Sequence, residues 1–376
     1  MSTEKSIVAI AECARYHDED VRTALQKNFK AVGGIERFIR PSDRVFIKPN
    51  LLTTKGPESA ATTHPSIVRT LAFMVKDIGA KAFIGDSPAG ISKPIQQYWK
   101  ATGMAEVAEQ TGARLVPFEN KGVIERIVLG RKYYIAKDVA EADIVINVCK
   151  MKTHGLTLFT GAVKNMFGVI PGFKKGEYHM IAPKVEDFSE ILVDVYQASQ
   201  PGLNIMDAVI AMEGNGPSSG IPKQVGYIAM STDGIALDSV MSSIAGFQND
   251  EIHTTRIATE RGIGVSLPGN VVVSGVALEE MRQNSFQFPS IRIQQFLPGF
   301  LTKLLGHFIW VRPYPNGNRC QKCGLCIRNC PVQAMKSADG FPEIDYSLCI
   351  KCFCCDEICP HDAIEQRASW LVEKFM

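Results

Sequence analysis

The run CQKCGLCIRNCP, Cys320 to Pro331, returns as CIKCFCCDEICP, Cys349 to Pro360. Both read C-x2-C-x2-C-x3-C-P, and no other feature restricts what this chain can fold into so tightly. Three thiolates spaced in this way close on one inorganic cluster within a single short loop. The fourth cysteine stands at the start of the following turn and is aimed at the cluster of the other loop. Cys320, Cys323, Cys326 and Cys359 are therefore assigned to one [4Fe–4S] centre, and Cys349, Cys352, Cys355 and Cys330 to a second. Zinc sites use four cysteines too, but two tandem repeats ending in Cys-Pro have no zinc rationale. Paired clusters in so small a unit are read as an electron relay rather than as struts. Cys354, beside Cys355, is left over as a packing residue or spare thiol.

Of the 11 cysteines only Cys13 and Cys149 lie outside this region. A disulfide framework would not leave the larger part of the chain so poor in cysteine, so the thiols are read as metal ligands in a reducing compartment. The N-terminal MSTEKSIVAIAECA carries acidic residues and no long apolar segment, which does not suit a secretory signal. No apolar run reaches the roughly 20 residues that span a bilayer. The cytoplasm is the expected location. A net charge of +2 without a basic tract gives no expectation of nucleic-acid binding.

The 376 residues predict two or three domains. Residues 1–284 alternate strand-like and helix-like segments. SIVAIAEC, DRVFIKPN, KAFIGDSP, ADIVINVCK and LNIMDAVIAM read as strands. DVRTALQKNFKAVGG, HPSIVRTLAFMVKDIGA, YWKATGMAEVAEQTG, VEDFSEILVDVYQAS and TDGIALDSVMSSIAG read as helices. This alternation predicts an α/β domain with a mainly parallel sheet flanked by helices. Residues 285–315 are apolar, aromatic and broken by prolines. Their polar face is not rich in Lys or Arg, which favours a connector helix and linker over an interfacial membrane helix. Residues 316–376 form the cysteine-rich unit, read as small and α+β.

Ligands of open α/β sheets bind beyond the carboxyl ends of the strands. There the sequence places Lys48 and Asn50, Asp86, Lys152 and His154, and Asp207 and Glu213, with His64 preceding a helix start. Each has a plain alternative. A lysine at a strand end is usually solvated, Asp86 before Ser87-Pro88 can form a turn, and His64 before Pro65 can cap its helix. As a set they suit an anionic, oxygen-rich small molecule. The expected binding residues are Lys48, Asn50, His64, Lys152, Asn165 and Asp207. The expected proton-handling or catalytic residues are His154, Lys164, Asp86 and Glu213. In TGAVKNMFG, Lys164 and Asn165 enter an apolar setting. A buried, unpaired lysine there would take an anionic partner or act as a base or Schiff-base amine; a surface one would snorkel. No phosphate-loop fingerprint accompanies these residues.

The last 60 or so residues resemble the bacterial two-cluster ferredoxins in their duplicated motif. IKPN, Thr63-His64-Pro65, GDSP, KMKTHGLTLFTGAVKNMFG and DAVIAMEGNGP resemble the iron–sulfur-centre family known as domain of unknown function 362, across about residues 45–245. That resemblance implies architecture more than chemistry. His154, Lys164 and Pro171-Gly172 are faintly similar to a stretch of the lactate racemase family, where a histidine and a lysine serve a nickel-pincer cofactor. The surrounding motif departs from that pattern and racemisation needs no ferredoxin, so a shared scaffold is compatible with it and a shared cofactor is not expected.

The functional expectation is a ferredoxin-linked oxidoreductase. It would exchange electrons with a soluble ferredoxin- or flavodoxin-like partner and act on the anionic molecule at the sheet edge. Membrane contact is not expected. The alternatives are a non-catalytic electron-transfer or cofactor-maturation module acting on a protein partner, and a non-redox enzyme carrying its clusters as a sensor.

Overall fold

A computed structural model describes residues 5–88, 93–118, 121–172, 174–283, 285–296 and 308–374. Its first part contains β1 (Ser6–Glu12), β2 (Arg44–Pro49), β3 (Lys81–Ile84), β4 (Arg114–Leu115), β5 (Val123–Val128), β6 (Arg131–Ala136), β7 (Ile144–His154), β8 (Leu158–Thr160), β9 (Leu203–Glu213), β10 (Ile221–Ser231) and β11 (Val271–Ser274). β5 and β6 form a separate hairpin. The others make one sheet in the order β11-β1-β10-β9-β7-β2-β3-β4, with β8 folded back on β7. The block β9-β7-β2-β3-β4 is parallel throughout.

Strand alternation sends Val45 and Ile47 of β2 to one face and Phe46 to the other. The first face is covered by α1 (Asp18–Ala31), α2 (Pro65–Asp77), α3 (Ile95–Ala101) and α4 (Met104–Thr111), through Leu25, Leu71, Trp99 and Val107. The second face carries α5 (Lys137–Ala140), α6 (Ala162–Asn165), α7 (Lys174–Ile181), α8 (Val185–Ser199), α9 (Gly234–Ile244) and α10 (His253–Glu260). Covered on both faces, β7 is buried along nearly its whole length, as its run of apolar residues requires.

Several features differ from the sequence expectation. β10 was not anticipated. It runs antiparallel to both β9 and β1, because the short link after Glu213 can close a hairpin but cannot make the crossover a parallel strand needs. The segment expected as one helix from Tyr98 is split into α3 and α4 at Gly103, whose φ of 77° no helix interior allows. β7 does not end at Lys150. It continues through a register shift between Lys150 and Lys152 to His154, where β8 pairs with it.

After α11 (Leu278–Met281) comes α12 (Ile291–Phe296), whose Ile291 joins the core of the α/β part. Residues 297–307, the middle of the expected connector, lie outside the described residues. The cysteine-rich unit contains β12 (Val311–Pro315), α13 (Leu325–Arg328), β13 (Met335–Ala338), β14 (Phe341–Ile344), α14 (Cys354–Glu357), β15 (Ile364–Ala368) and α15 (Trp370–Lys374). β12 pairs with β15, so the end of the expected connector is a strand of this unit. Val311, Phe353, Ala368 and Val372 share an apolar cluster with Val8, Cys149 and Leu237, which docks the unit on the sheet domain. No helix among the described residues is long and apolar enough to cross a membrane.

Candidate functional site

The carboxyl end of β2 brings Lys48 to Asp86, just past β3, with 2.8 Å between Nζ and Oδ1; the side chains are 0% and 2% exposed. Asp86 also accepts the backbone N–H groups of Leu51 (2.7 Å) and Ser87 (2.9 Å). Burial lowers the Lys48 pKa and Asp86 opposes this. Both groups are occupied by each other and by backbone, so they form the floor of the site. Gly168 lies against them; a Cβ there would stand 2.0 Å from Asp86 Oδ1.

α6 is aimed by Asp238 of α9. Its carboxylate accepts the N–H groups of Ala162 (2.5 Å) and Val163 (2.9 Å). Gly161 permits this approach, since a Cβ would fall 2.0 Å from Asp238 Oδ1. Burial raises the Asp238 pKa to about 7 against those two hydrogen bonds. Asn165 is oriented by a chain of amides. It donates to Asn147 Oδ1 (2.7 Å), Asn147 donates to Asn204 Oδ1 (2.8 Å), and Asn204 donates to the Tyr196 hydroxyl (3.2 Å). The direction of that chain leaves Asn165 Oδ1 as a buried acceptor with no partner among the described residues. Lys164, its neighbour, makes no hydrogen bond or ion pair among the described residues; its Nζ lies 5.9 Å from the Phe188 ring centre.

His154 sits at the tip of β7. Its Nδ1 accepts the N–H groups of Leu156 (2.9 Å) and Thr157 (3.3 Å), which puts the ring proton on Nε2. Nε2 lies 3.0 Å from Glu357 Oε1 of the cysteine-rich unit, in a close contact poorly aligned for a hydrogen bond. Burial and the Lys164 charge lower the His154 pKa to about 4. Burial alone would raise the Glu357 pKa, but His154, Lys164 and His179 outweigh it and hold it at about 2. The pair is thus a neutral imidazole facing a carboxylate. Lys152 donates to Ala61 O (2.6 Å), and burial with the Lys164 charge lowers its pKa to about 7.

Between these groups lies a cavity of about 360 Å³. The sheet domain lines it with Asn50, Asp86, Lys164, Asn165 and residues of α7. The cysteine-rich unit closes the other side with Arg328, Cys330, Cys354 and Glu357. Polar contacts hold the two walls together: Lys55 to Asp362, Ser219 to Asp356 (2.9 Å), and Gln366 to Gly216 O (3.1 Å).

Of the residues expected at the site, Asn50, Asp86, Lys164 and Asn165 line the cavity. Lys48 lies beneath it, and His154 joins it through Glu357. Lys152 is anchored to Ala61 O and is not among the lining residues. Three others are elsewhere. Glu213 accepts from Gln287 N (3.0 Å), at the β9–β10 turn. Asp207 and His64 face α1 and α2, where Asp207 takes Lys150 Nζ (2.9 Å), the Tyr16 hydroxyl (2.8 Å) and His64 N (2.9 Å). There the His64 ring stacks on Tyr16 at 3.5 Å and its Nδ1 caps α2. The physical reason is strand alternation: Lys150 and Asp207 point to the face opposite the one that carries α6.

Sequence reasoning missed His179 and Glu357. His179 of α7 stacks on Phe188 at 4.1 Å and lines the cavity; burial lowers its pKa to about 3. No motif marks it. Glu357 had a readable signal. At matching positions of the two cysteine runs, Leu325, Ile327 and Arg328 give way to Cys354, Asp356 and Glu357. An acidic pair thus stands where the first run has an isoleucine and an arginine.

The eight cysteines line two further cavities. Cys320, Cys323, Cys326 and Cys359 surround one, and Cys330, Cys349, Cys352 and Cys355 the other. Left-handed residues occupy equivalent places in both runs: Lys322 and Lys351, Gly324 and Phe353, Gln333 and Asp362. Such turns direct backbone N–H groups inward. Cys320, Cys330 and Cys359 Sγ each accept one, from Lys322, Ala334 and Ala363 (3.4, 3.2 and 3.2 Å). Among the described residues no three His, Cys, Asp or Glu groups converge as they would on a single metal ion. Four thiols round a cavity, with N–H donors to sulfur, fit a polynuclear cluster.

Known proteins resemble this chain in part or across most of its length. A thylakoid-associated protein of Synechocystis sp. is 34% identical over 266 residues, covering 69% of this chain and 80% of that protein. A ferredoxin of Alicyclobacillus acidocaldarius is 39% identical over 47 residues, 12% of this chain and 60% of that protein. The lactate racemase apoprotein of Thermoanaerobacterium thermosaccharolyticum superposes with a TM-score of 0.42 at 15% identity, covering 66% of this chain and 58% of that one. The chain thus spans less than two thirds of the ferredoxin and of the racemase. The family described as "Domain of unknown function (DUF362)" matches residues 45–243, over half of the chain, and the chain belongs to that family.

Proposed function

We propose that the protein is an iron–sulfur oxidoreductase whose cysteine loops hold two [4Fe–4S] clusters and whose cavity binds an anionic small molecule that exchanges electrons with them. One observation carries this reading: the wall facing Lys164 and Asn165 includes Cys330, a member of the second thiol set, and Cys354, next to its member Cys355. The clusters would supply one-electron chemistry. Similarity to a ferredoxin over 47 residues and the N–H donors at three sulfurs support them. Within the cavity, Asp86 is engaged by Lys48 and Glu357 faces His154, and the basic side chains of Lys164 and Arg328 line the space an anion would enter. The partner would be a soluble electron carrier.

The test is anaerobic. Iron and acid-labile sulfide should match two cubanes per chain, and the dithionite-reduced protein should give the electron paramagnetic resonance of two interacting centres. Cys323→Ser should remove the first signal and Cys352→Ser the second. Lys164→Gln should shift the potential of the second centre more than that of the first. Zinc in place of iron would overturn the cluster assignment; a larger shift at the first centre would overturn the placement of the cavity.

A further inference from the structure

Four lysines, Lys48 of β2, Lys150 and Lys152 of β7 and Lys164 of α6, lie toward the carboxyl ends of their elements, and three are anchored. Lys48 bonds to Asp86, Lys150 to Asp207 and Lys152 to Ala61 O. Lys164 alone of the four has no hydrogen-bond or ion-pair partner among the described residues, and it lines the cavity. We propose that the Lys164 amine forms an imine with the carbonyl group of an aldehyde or ketone bound there.

The surroundings favour a neutral amine. Lys152 is a second cation close enough for the two charges to repel. Glu357 and the Cys354 thiol are the groups that oppose this. Burial lowers the Lys164 pKa more than they raise it. A desolvated lysine beside another cation is the usual setting of an imine-forming residue.

The step balances without an oxidant or reductant. The amine nitrogen adds to the carbonyl carbon, the nitrogen gives up two protons, and the carbonyl oxygen leaves as water. His179 lines the same cavity as a neutral imidazole and can carry a proton from nitrogen to the departing oxygen. A protonated imine accepts electrons more readily than its parent carbonyl, which suits a cavity whose wall includes Cys330 of the second thiol set. The inference deepens the proposed function by naming a substrate class, and it rests on the cavity rather than on the clusters.

The experiment treats the anaerobic, full-length protein at neutral pH with cyanoborohydride and either glyoxylate or formaldehyde. The product is digested and each lysine followed by mass spectrometry. Exposed Lys30 and Lys336 serve as internal references, and the same reaction in denaturant equalises accessibility. Lys164 should be marked first, roughly tenfold faster than the references, and lose that lead in denaturant. An unmarked Lys164, or one marked no faster than Lys30 and Lys336 by both probes, overturns the proposal. Iron and spectra measured on the same sample separate the two readings. Missing clusters with Lys164 still marked would refute only the iron–sulfur assignment, and intact clusters with Lys164 unmarked would refute only the imine.

Discussion

Asp86→Ala should be among the most damaging single changes in the sheet domain. It removes the carboxylate 2.8 Å from Lys48 Nζ and takes the acceptor from Leu51 N and Ser87 N. Lys48, fully buried, would keep only Pro49 O at 3.1 Å. Breaking a buried pair from one side costs about 3–5 kcal/mol, because the remaining charge stays desolvated. Lys48→Met should cost less, since Asp86 retains its two backbone donors and a similar volume is filled. In the double variant no buried ammonium group is left behind, so its cost should fall below the sum of the singles by about 2 kcal/mol or more. Anaerobic urea unfolding followed by tryptophan fluorescence measures all three. Gly168→Ala probes the pair from the other side, because its Cβ would stand 2.0 Å from Asp86 Oδ1 and 2.7 Å from Lys48 Nζ. Singles that add within about 0.5 kcal/mol would refute the coupling. So would an Asp86→Ala variant unfolding at the parent midpoint.

Two further outcomes follow from the cavity walls. Gly161→Ala should cost about 2 kcal/mol or more, since its Cβ would fall 2.0 Å from Asp238 Oδ1 and displace the carboxylate that aims α6; near-parental stability, with Lys164 still marked by glyoxylate, would contradict the role given to Asp238. His179→Phe should keep the stacking on Phe188 and remove a titrating group whose folded pKa, about 3, lies below its ordinary 6.5. Because the unfolded histidine binds the proton first, the parent holds its full stability above pH 6.5 and loses it as pH falls toward 3. The variant should therefore gain on the parent by up to about 1.4 kcal/mol per pH unit through that window, and a pH-independent difference between the two unfolding curves would count against a buried neutral His179.

Much of the architecture was legible because it is local. Pro65 after His64 marked a helix start, and His64 Nδ1 does accept from Ser66 N. VEDFSEILVDVYQAS matches α8 residue for residue, since its apolar positions follow one helical face. The cysteine spacing grouped the eight thiols into the same two sets that line the two cavities. β10 was not legible, because an antiparallel hairpin strand is set by the length of a loop and the partner it meets. The site was half legible. Strand ends pointed to Lys48, Asn50, Asp86 and His154, yet Asp207 and Glu213 are equally polar residues of the same kind of strand and face elsewhere.

From sequence alone came the α/β alternation, the cap at His64 and the grouping of the thiols, all set by residues close together in the chain. Tertiary structure alone decided which charges would be spent on one another and which would remain open. Side chains on a strand change face at every residue, so register decides which of them share a cavity, and the shift between Lys150 and Lys152 in β7 cannot be read from one strand by itself. For the same reason Lys150 was committed to Asp207 on the α1 face, and Lys164 was left with no hydrogen-bond or ion-pair partner among the described residues, in a cavity it shares with Glu357, a residue nearly two hundred positions away in the chain.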